Sequence, residues 1–434
     1  MMKLNNLTLY VLIPLSAFIA SVGADQRTFA QLSPCGCQEP VCGCEGVCVE
    51  PACCDSVGCD SICCDSCDLG CSLGSCCCLE NLPCLDNCCL GDPYSLFGEC
   101  QGYSAGGWIQ LGYQSKNLPA FNNYKDHLQL QQGWLWAEKA IDARCGFDIG
   151  GRIDYVYGTD GPNTQSFGTD PIGWDNSWDN GGAYGHAIPQ LYVEAGYGDL
   201  SVKAGHFFTN IGYEVVPATG NFFYSHAYTM NFSEPFTHTG FLASYNVSED
   251  VTFQGGYVLG WDSGFDDNGD AWLGGVTVDL TDRLTVAYAS IAGRFNEAWA
   301  GPPVSERGYM QSVVANYAFN DCCSYIFQTD FIDSEDALGN EIRNTYGINQ
   351  YLIRSINDCF AVGTRFEWWA ASIAGSDRQN IFDWTVGANY RPHANLVIRP
   401  EIRFDWVDEA VFLLDDPAAG NNQTTFGIDA ILTF

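Results

Sequence analysis

The chain has 434 residues, 47% hydrophobic and 14% aromatic but only 16% charged, and its 52 Asp and Glu outnumber 18 Lys and Arg to a net charge of −34. A surplus of that sign repels phosphate backbones and excludes a nucleic-acid binder, while so many aromatics together with 47 Gly exclude a disordered acidic tail. The length allows two or three ordinary domains, or one long closed barrel.

Residues 1–24 read as an export signal. Lys3 stands before an uncharged, mostly apolar run from Leu7 to Val22, and Val22-Gly23-Ala24 supplies the small residues a signal peptidase needs. The alternative, a membrane anchor, would need a longer run, and no other stretch of about 18 apolar residues follows.

Residues 25–100 form a cysteine-rich, acidic and mostly irregular segment. Nineteen of the 23 cysteines lie between Cys35 and Cys100, with a Cys-Asp-Ser unit repeated around Cys54, Cys59 and Cys64. Apolar residues between them are too few for a core, so cross-links must hold the segment. Export to an oxidising compartment favours disulfides; a thiolate metal cluster through pairs such as Cys35-x-Cys37 and Cys42-x-Cys44 is the other reading, and no defined metal site is assigned. Nineteen is odd, so at least one of these thiols pairs outside the segment or stays reduced.

From residue 101 to 434 the pattern has period two. Phe147, Ile149, Ile153, Tyr155 and Tyr157 alternate with Asp148, Arg152 and Asp154, and Ile398, Ile402, Phe404 and Trp406 alternate with Arg399, Glu401, Arg403 and Asp405. Apolar-out, polar-in strands of about ten residues are the mark of a transmembrane antiparallel β-barrel. Sixteen strands are expected, near 103–114, 128–140, 145–158, 188–197, 200–207, 238–247, 251–260, 271–280, 284–294, 309–319, 323–332, 345–355, 359–369, 381–390, 396–407 and 423–434. Short turns such as Thr281-Asp282-Arg283 alternate with long polar loops such as 159–187 and 408–422, as in outer-membrane barrels with short periplasmic turns. The segment 208–237 could add a further strand pair, giving a range of 16 to 18.

This topology places both ends of the barrel, and the cysteine-rich segment, in the periplasm. Cys145, Cys322, Cys323 and Cys359 all fall in or beside short turns and are the disulfide candidates for tying that segment to the barrel rim or to a neighbouring molecule; the alternative is that these four pair among themselves or stay free. Inward-facing, pore-lining charges are expected at Asp148, Arg152, Asp154, Glu194, Lys203, Arg365, Glu367, Asp383, Arg399, Glu401, Arg403 and Asp405, with both signs represented. Acids assigned to loops, among them Asp266, Asp267, Asp270, Asp333, Glu335, Asp336, Glu341, Asp408, Glu409, Asp415 and Asp416, would enrich cations at the outer mouth and give a weak cation preference. None of the six His sits in a catalytic motif, so no enzyme activity and no cofactor are assigned.

The stretch 206–240, HFFTNIGYEVVPATGNFFYSHAYTMNFSEPFTHTG, resembles the central segment of the OmpL-like β-barrel porin family, and the resemblance covers residues 101–434. It implies a general outer-membrane pore for small solutes and ions, set in outer-membrane lipid and inserted by the barrel-assembly machinery, with Phe434 as the C-terminal aromatic assembly signal. Trimers are common among sixteen-stranded porins, so a homotrimer is expected. In general porins the third long loop folds into the lumen; here it is 208–237, which would bring Glu214, His226, Glu234 and His238 to a constriction, an ordinary surface loop being the alternative. The resemblance does not reach residues 25–100. The competing functional reading is a structural envelope protein, whose barrel anchors a disulfide-cross-linked module.

Overall fold

The computed structural model describes residues 88, 90–166, 174–175, 182–265, 269–295, 306–408, 414–416, 418 and 420–434. The expected export signal, nearly all of the cysteine-rich segment and stretches of four loops, Asp266, Asp267 and Glu409 included, lie outside the described residues.

Sixteen strands run antiparallel to their sequence neighbours. They are β1 (Tyr103–Gln114), β2 (Gln129–Lys139), β3 (Phe147–Gly158), β4 (Gly185–Tyr197), β5 (Leu200–Phe208), β6 (Thr237–Ser248), β7 (Val251–Val258) and β8 (Asp270–Thr281), then β9 (Leu284–Arg294), β10 (Arg307–Asn320), β11 (Cys323–Glu335), β12 (Glu341–Asn357), β13 (Phe360–Ile373), β14 (Gln379–His393), β15 (Leu396–Val407) and β16 (Asn422–Thr433). The sheet closes when β16 pairs with β1, from Gly427 opposite Gln114 to Thr433 opposite Trp108. Closure removes every edge, which a strand-built membrane span requires because unpaired backbone groups are costly in hydrocarbon.

Alternation fixes which face each residue takes. In β3, Phe147, Ile149 and Ile153 are exposed on the outside whereas Asp154 and Val156 are fully buried inside. Outward aromatics gather at both ends of the wall. Phe147, Tyr197, Tyr245, Phe253, Tyr317 and Tyr390 lie near the short turns, and Tyr157, Tyr257, Trp272, Tyr309, Tyr346 and Trp406 near the long loops. Two such girdles flanking an apolar band are what a bilayer selects.

The structure corrects the expected loops in two places. Strands β11 to β14 run further than their sequence pattern suggests, so the connections 336–340 and 374–378 are only five residues long, and Asp333, Glu335 and Glu341 sit on strands. Asp270 likewise belongs to β8, where it meets Arg294 at 2.8 Å, as Glu335 meets Arg307 at 2.7 Å; these cross-strand ion pairs continue the ladders beyond the apolar band. The segment 209–236, called the lumen loop below, adds no strands. It carries a 3-10 turn, Ala218–Gly220, and one short helix, α1 (Tyr228–Ser233), and Thr209 N–H bonds the Phe236 carbonyl at 3.0 Å to close its base. The strand count is therefore sixteen.

At the short-turn rim the chain before β1 runs as a strap. Cys88 is disulfide-bonded to Cys359 in the β12–β13 turn, Tyr94 exchanges two hydrogen bonds of 2.7 Å with Asn395 in the β14–β15 turn, and Glu99–Cys100 pairs with the start of β1.

Candidate functional site

The lumen loop crosses the inside of the barrel, and the wall charges are what hold it. Arg365 on β13 donates from Nη1 to the Ser225 carbonyl and to Glu214 Oε1, each at 2.7 Å. Arg399 on β15 donates to the carbonyls of Ala218 (3.0 Å) and Asn221 (2.6 Å), and Arg403 to that of His226 (2.6 Å). Carboxylates take the amides. Glu367 accepts from Tyr228 and Thr229 N–H at 2.7 and 2.6 Å, and Glu401 accepts from Tyr224 and Ser225 N–H at 2.9 and 3.2 Å. An irregular segment placed inside a barrel has backbone groups with no ladder to join, and this alternation of cation for carbonyl and anion for amide satisfies them.

The same side chains also pair along the wall. Arg365 and Asp383 meet at 2.6 Å, Arg403 and Asp405 at 2.7 Å, and Arg399 and Asp429 at 2.6 Å. Tyr228 Oη donates to Asp405 at 2.9 Å. Sequence reading treats these residues as facing water; the structure leaves them 0–4% exposed, because the loop covers them. Of the other inward charges, Asp154 is also fully buried, accepting from Trp134, Gln190 and Arg152. Arg152 reaches Glu138 at 3.2 Å, Asp148 pairs with Lys139 at 2.8 Å, and Glu194 stands opposite Lys203 in the β4–β5 register.

Glu214, His226 and Glu234 lie on the lumen loop. His226 Nδ1 is 3.4 Å from Glu214 Oε2, Tyr351 Oη donates to Glu214 at 3.1 Å, and Gln328 Nε2 donates to Glu234 at 2.5 Å. His238 is a correction: it sits on β6, not in the loop, buried and bonded to Thr209 Oγ1 and the Gly260 carbonyl. Phe434 exchanges backbone hydrogen bonds of 3.1 and 3.0 Å with Gly107 at the closing seam, and its ring lies where a Gly107 side chain would be.

Sequence reading missed the glycines that make room for the loop. A Cβ on Gly363 would fall 2.5 Å from the Phe222 ring, on Gly427 2.9 Å from the Tyr224 ring and on Gly387 3.2 Å from Phe223. Their signal is legible in retrospect: each occupies an inward position of a strand, where period two calls for a polar or bulky side chain. Trp261 and Phe295, just beyond the ends of β7 and β9, also pack inward. Trp261, packed against Phe295, carries the Arg343 guanidinium 4.5 Å above its ring, and both aromatics join Ile211 of the lumen loop in an apolar cluster against β7–β11.

On the opposite side, between the lumen loop and β2–β7, a cavity of about 200 Å³ remains, walled by Trp108, Tyr192 and Phe207 with Lys203, Asn210 and Gln254 among its polar groups. Among the described residues no cluster of three or more His, Cys, Asp or Glu is placed to hold a metal. Of the disulfide candidates, Cys359 bonds Cys88; Cys322 bonds Asn320 Oδ1 at 3.2 Å, Cys323 is buried, and Cys145 ends the β2–β3 turn.

A closed sixteen-stranded barrel, apolar outside and charged inside, with a long loop folded across its lumen, defines the class of outer-membrane porins. The chain belongs to the family described as "Putative beta-barrel porin-2, OmpL-like", whose model matches residues 102–434. Among solved structures it resembles OmpT, an outer membrane protein of Vibrio cholerae in trimer form, with a TM-score of 0.51 and 10% identity over 77% of this chain and 100% of that one. The anion-selective porin of Comamonas acidovorans gives 0.51 at 11% identity over 76% and 99%, and the outer membrane channel DcaP of Acinetobacter baumannii 0.51 at 10% over 79% and 100%. At such identities the likeness is one of fold. No curated protein matches the chain.

Proposed function

We propose that the protein is a porin through which small hydrophilic solutes and ions diffuse passively, weakly preferring cations, past a constriction formed by the lumen loop. One observation carries this reading: the loop spends its backbone hydrogen bonds on wall charges of β13 and β15 and so leaves its cavity on the other side, along β2–β7. Solutes pass on that side. The cation preference rests on 40 Asp and Glu against 16 Lys and Arg in residues 101–434.

In this reading the short-turn rim, the strap and the cysteine-rich segment face the periplasm. Phe434, outward at the seam, is the signal for the barrel-assembly machinery, and the barrels associate as homotrimers in outer-membrane lipid. No catalytic role is assigned. The Cys88–Cys359 bond favours a second, compatible role, in which the barrel anchors a cross-linked envelope module.

The test is conductance of the refolded full chain in a planar bilayer, for the wild type and a variant lacking residues 215–232. Stable steps that grow on deletion, with a reversal potential favouring cations in a salt gradient, are expected. Silence in both proteins would leave only the anchor role, and a reversal potential favouring anions would overturn the selectivity.

A further inference from the structure

We infer that the cavity between the lumen loop and β2–β7 is a solute-binding subsite for a neutral, monosaccharide-sized polyol; the inference rests on the porin reading and adds a substrate class to it. Its volume, about 200 Å³, lies below the range that takes drug-sized ligands. It is not a sealed void: Glu138 and Arg152, which line it, keep 29% and 23% of their side chains exposed.

Three polar groups on its wall have hydrogen-bonding capacity to spare. Asn210 is 5% exposed and donates from Nδ2 to Gln254 Oε1 at 2.8 Å, yet its Oδ1 finds no donor among the described residues. Using its oxygen on Asn210 leaves the Gln254 amide nitrogen, on an inward position of β7, as a donor. Lys203, inward on β5, holds its ammonium 4.9 Å from the centre of the Tyr192 ring and has no carboxylate within ion-pair distance among the described residues, although Arg152 beside the same cavity has two.

One acceptor and two donors around a wall of Trp108, Tyr192 and Phe207 describe a ligand with hydroxyls on its edge and an apolar C–H face. A hydroxyl both donates to Asn210 and accepts from Lys203 or Gln254, so a ring of neighbouring hydroxyls meets all three without bringing in a net charge. Of the remaining charges on the wall, Arg152 is paired with Glu138 and Asp154 and Glu214 with Arg365, while Glu234 accepts from Gln328 Nε2 at 2.5 Å. A buried acceptor left unmet is costly, and a passing polyol that meets it gains residence at the constriction.

The experiment is single-channel recording of the full chain with glucose added to one side, for the wild type and for Asn210→Leu, Lys203→Met and Gln254→Leu. Salt conductance without sugar is read first on each protein, and its absence in the wild type would count against the porin reading itself. The expected result is a saturable reduction of current by glucose, half-complete at millimolar concentration, with the half-point raised at least fivefold by Lys203→Met or Gln254→Leu, whose partly exposed sites keep folding intact if Asn210→Leu does not. A reduction linear in glucose and equal in all proteins, which is viscosity alone, would overturn the subsite. Saturable block by glucuronate but not by glucose would overturn the polyol class.

Discussion

Arg365 donates to Glu214 across 2.7 Å, joining strand β13 of the wall to the loop that spans the lumen, and neither side chain is more than 7% exposed. The same guanidinium holds Asp383 at 2.6 Å, and Asp383 has Arg403 at 3.4 Å as well, so Arg365 bridges two buried carboxylates and accepts no substitute that lacks charge. Arg365→Met should cost about 3–5 kcal/mol, the usual penalty for stranding a buried charge. The thermal midpoint by circular dichroism should fall, and open-channel current should become larger and noisier as the loop loosens. An unchanged midpoint with unchanged current would mean that this pair does not hold the loop.

The wall glycines allow the opposite manoeuvre, displacing the loop without removing a charge. Gly363→Leu places its Cβ 2.5 Å from the Phe222 ring, which must swing away and take residues 221–223 with it. The expected outcome is higher conductance with every ion pair intact, accompanied by faster proteolysis near Phe222. Wild-type conductance in a folded Gly363→Leu barrel would show that Phe222 yields without moving the backbone.

How much of this was legible in the sequence depends on the range of the interaction. Alternation is local and recurs in every strand, so the pairing of Phe147 outside with Asp148 inside identified the barrel and its sixteen strands. The docking of the lumen loop was only half legible. Arg399, Glu401, Arg403 and Asp405 announce an inward ladder by their spacing, but nothing in that spacing says that Arg399 will meet the Asn221 carbonyl across 178 positions of chain. His238 falls inside the expected strand 238–247, and it belongs to the wall and not to the constriction because Thr209 Oγ1 and the Gly260 carbonyl hold its ring in β6, and polar partners from distant loops leave no periodic trace. The disulfide was visible as a set of candidates, whereas the choice of Cys88 out of nineteen is a matter of where the strap runs.

Acidity should open one clasp at the long-loop rim. Asp415 accepts from Lys125 Nζ at 2.6 Å and has Lys116 Nζ at 3.7 Å, tying the β15–β16 loop to the β1–β2 loop. Burial alone would raise its pKa, but the hydrogen bond from Lys125, the Asn117 N–H and the two ammonium charges outweigh it and hold the carboxyl below its ordinary 3.8. A depressed folded value means that the clasp's stabilisation is complete above the ordinary value and is lost as pH falls through the folded one. Cleavage near residue 415 by an acid-active protease, expressed as the rate for Asp415→Asn over that for wild type, should exceed one at pH 5 and fall towards one below the folded value. Taking the ratio removes the protease's own pH dependence, and a ratio constant with pH would discount the clasp.

The strap makes the last prediction, because its three attachments follow the rim in order. Cys88 meets the β12–β13 turn, Tyr94 the β14–β15 turn, and Glu99 and Cys100 the start of β1, so the chain enters the barrel only after passing two successive short turns of the rim. The turn that offers Cys359 is built for it: Asn357 Oδ1 accepts from the Cys359 N–H at 3.0 Å, and the neighbouring turn repeats the arrangement, with Asn320 accepting from Cys322 N–H at 3.1 Å. Asn side chains fix tight turns in this way, and here they present a cysteine at the rim. A bond closing 271 residues constrains the unfolded chain by roughly 5–6 kcal/mol on entropic grounds. Proteolysis near residue 101 should therefore leave the two fragments joined on a non-reducing gel and separate them with reductant, while Cys359→Ser should release the N-terminal fragment without reductant and lower the thermal midpoint. Clean separation of the wild-type fragments in the absence of reductant would mean that the cysteine-rich segment is held to the barrel by the peptide chain alone.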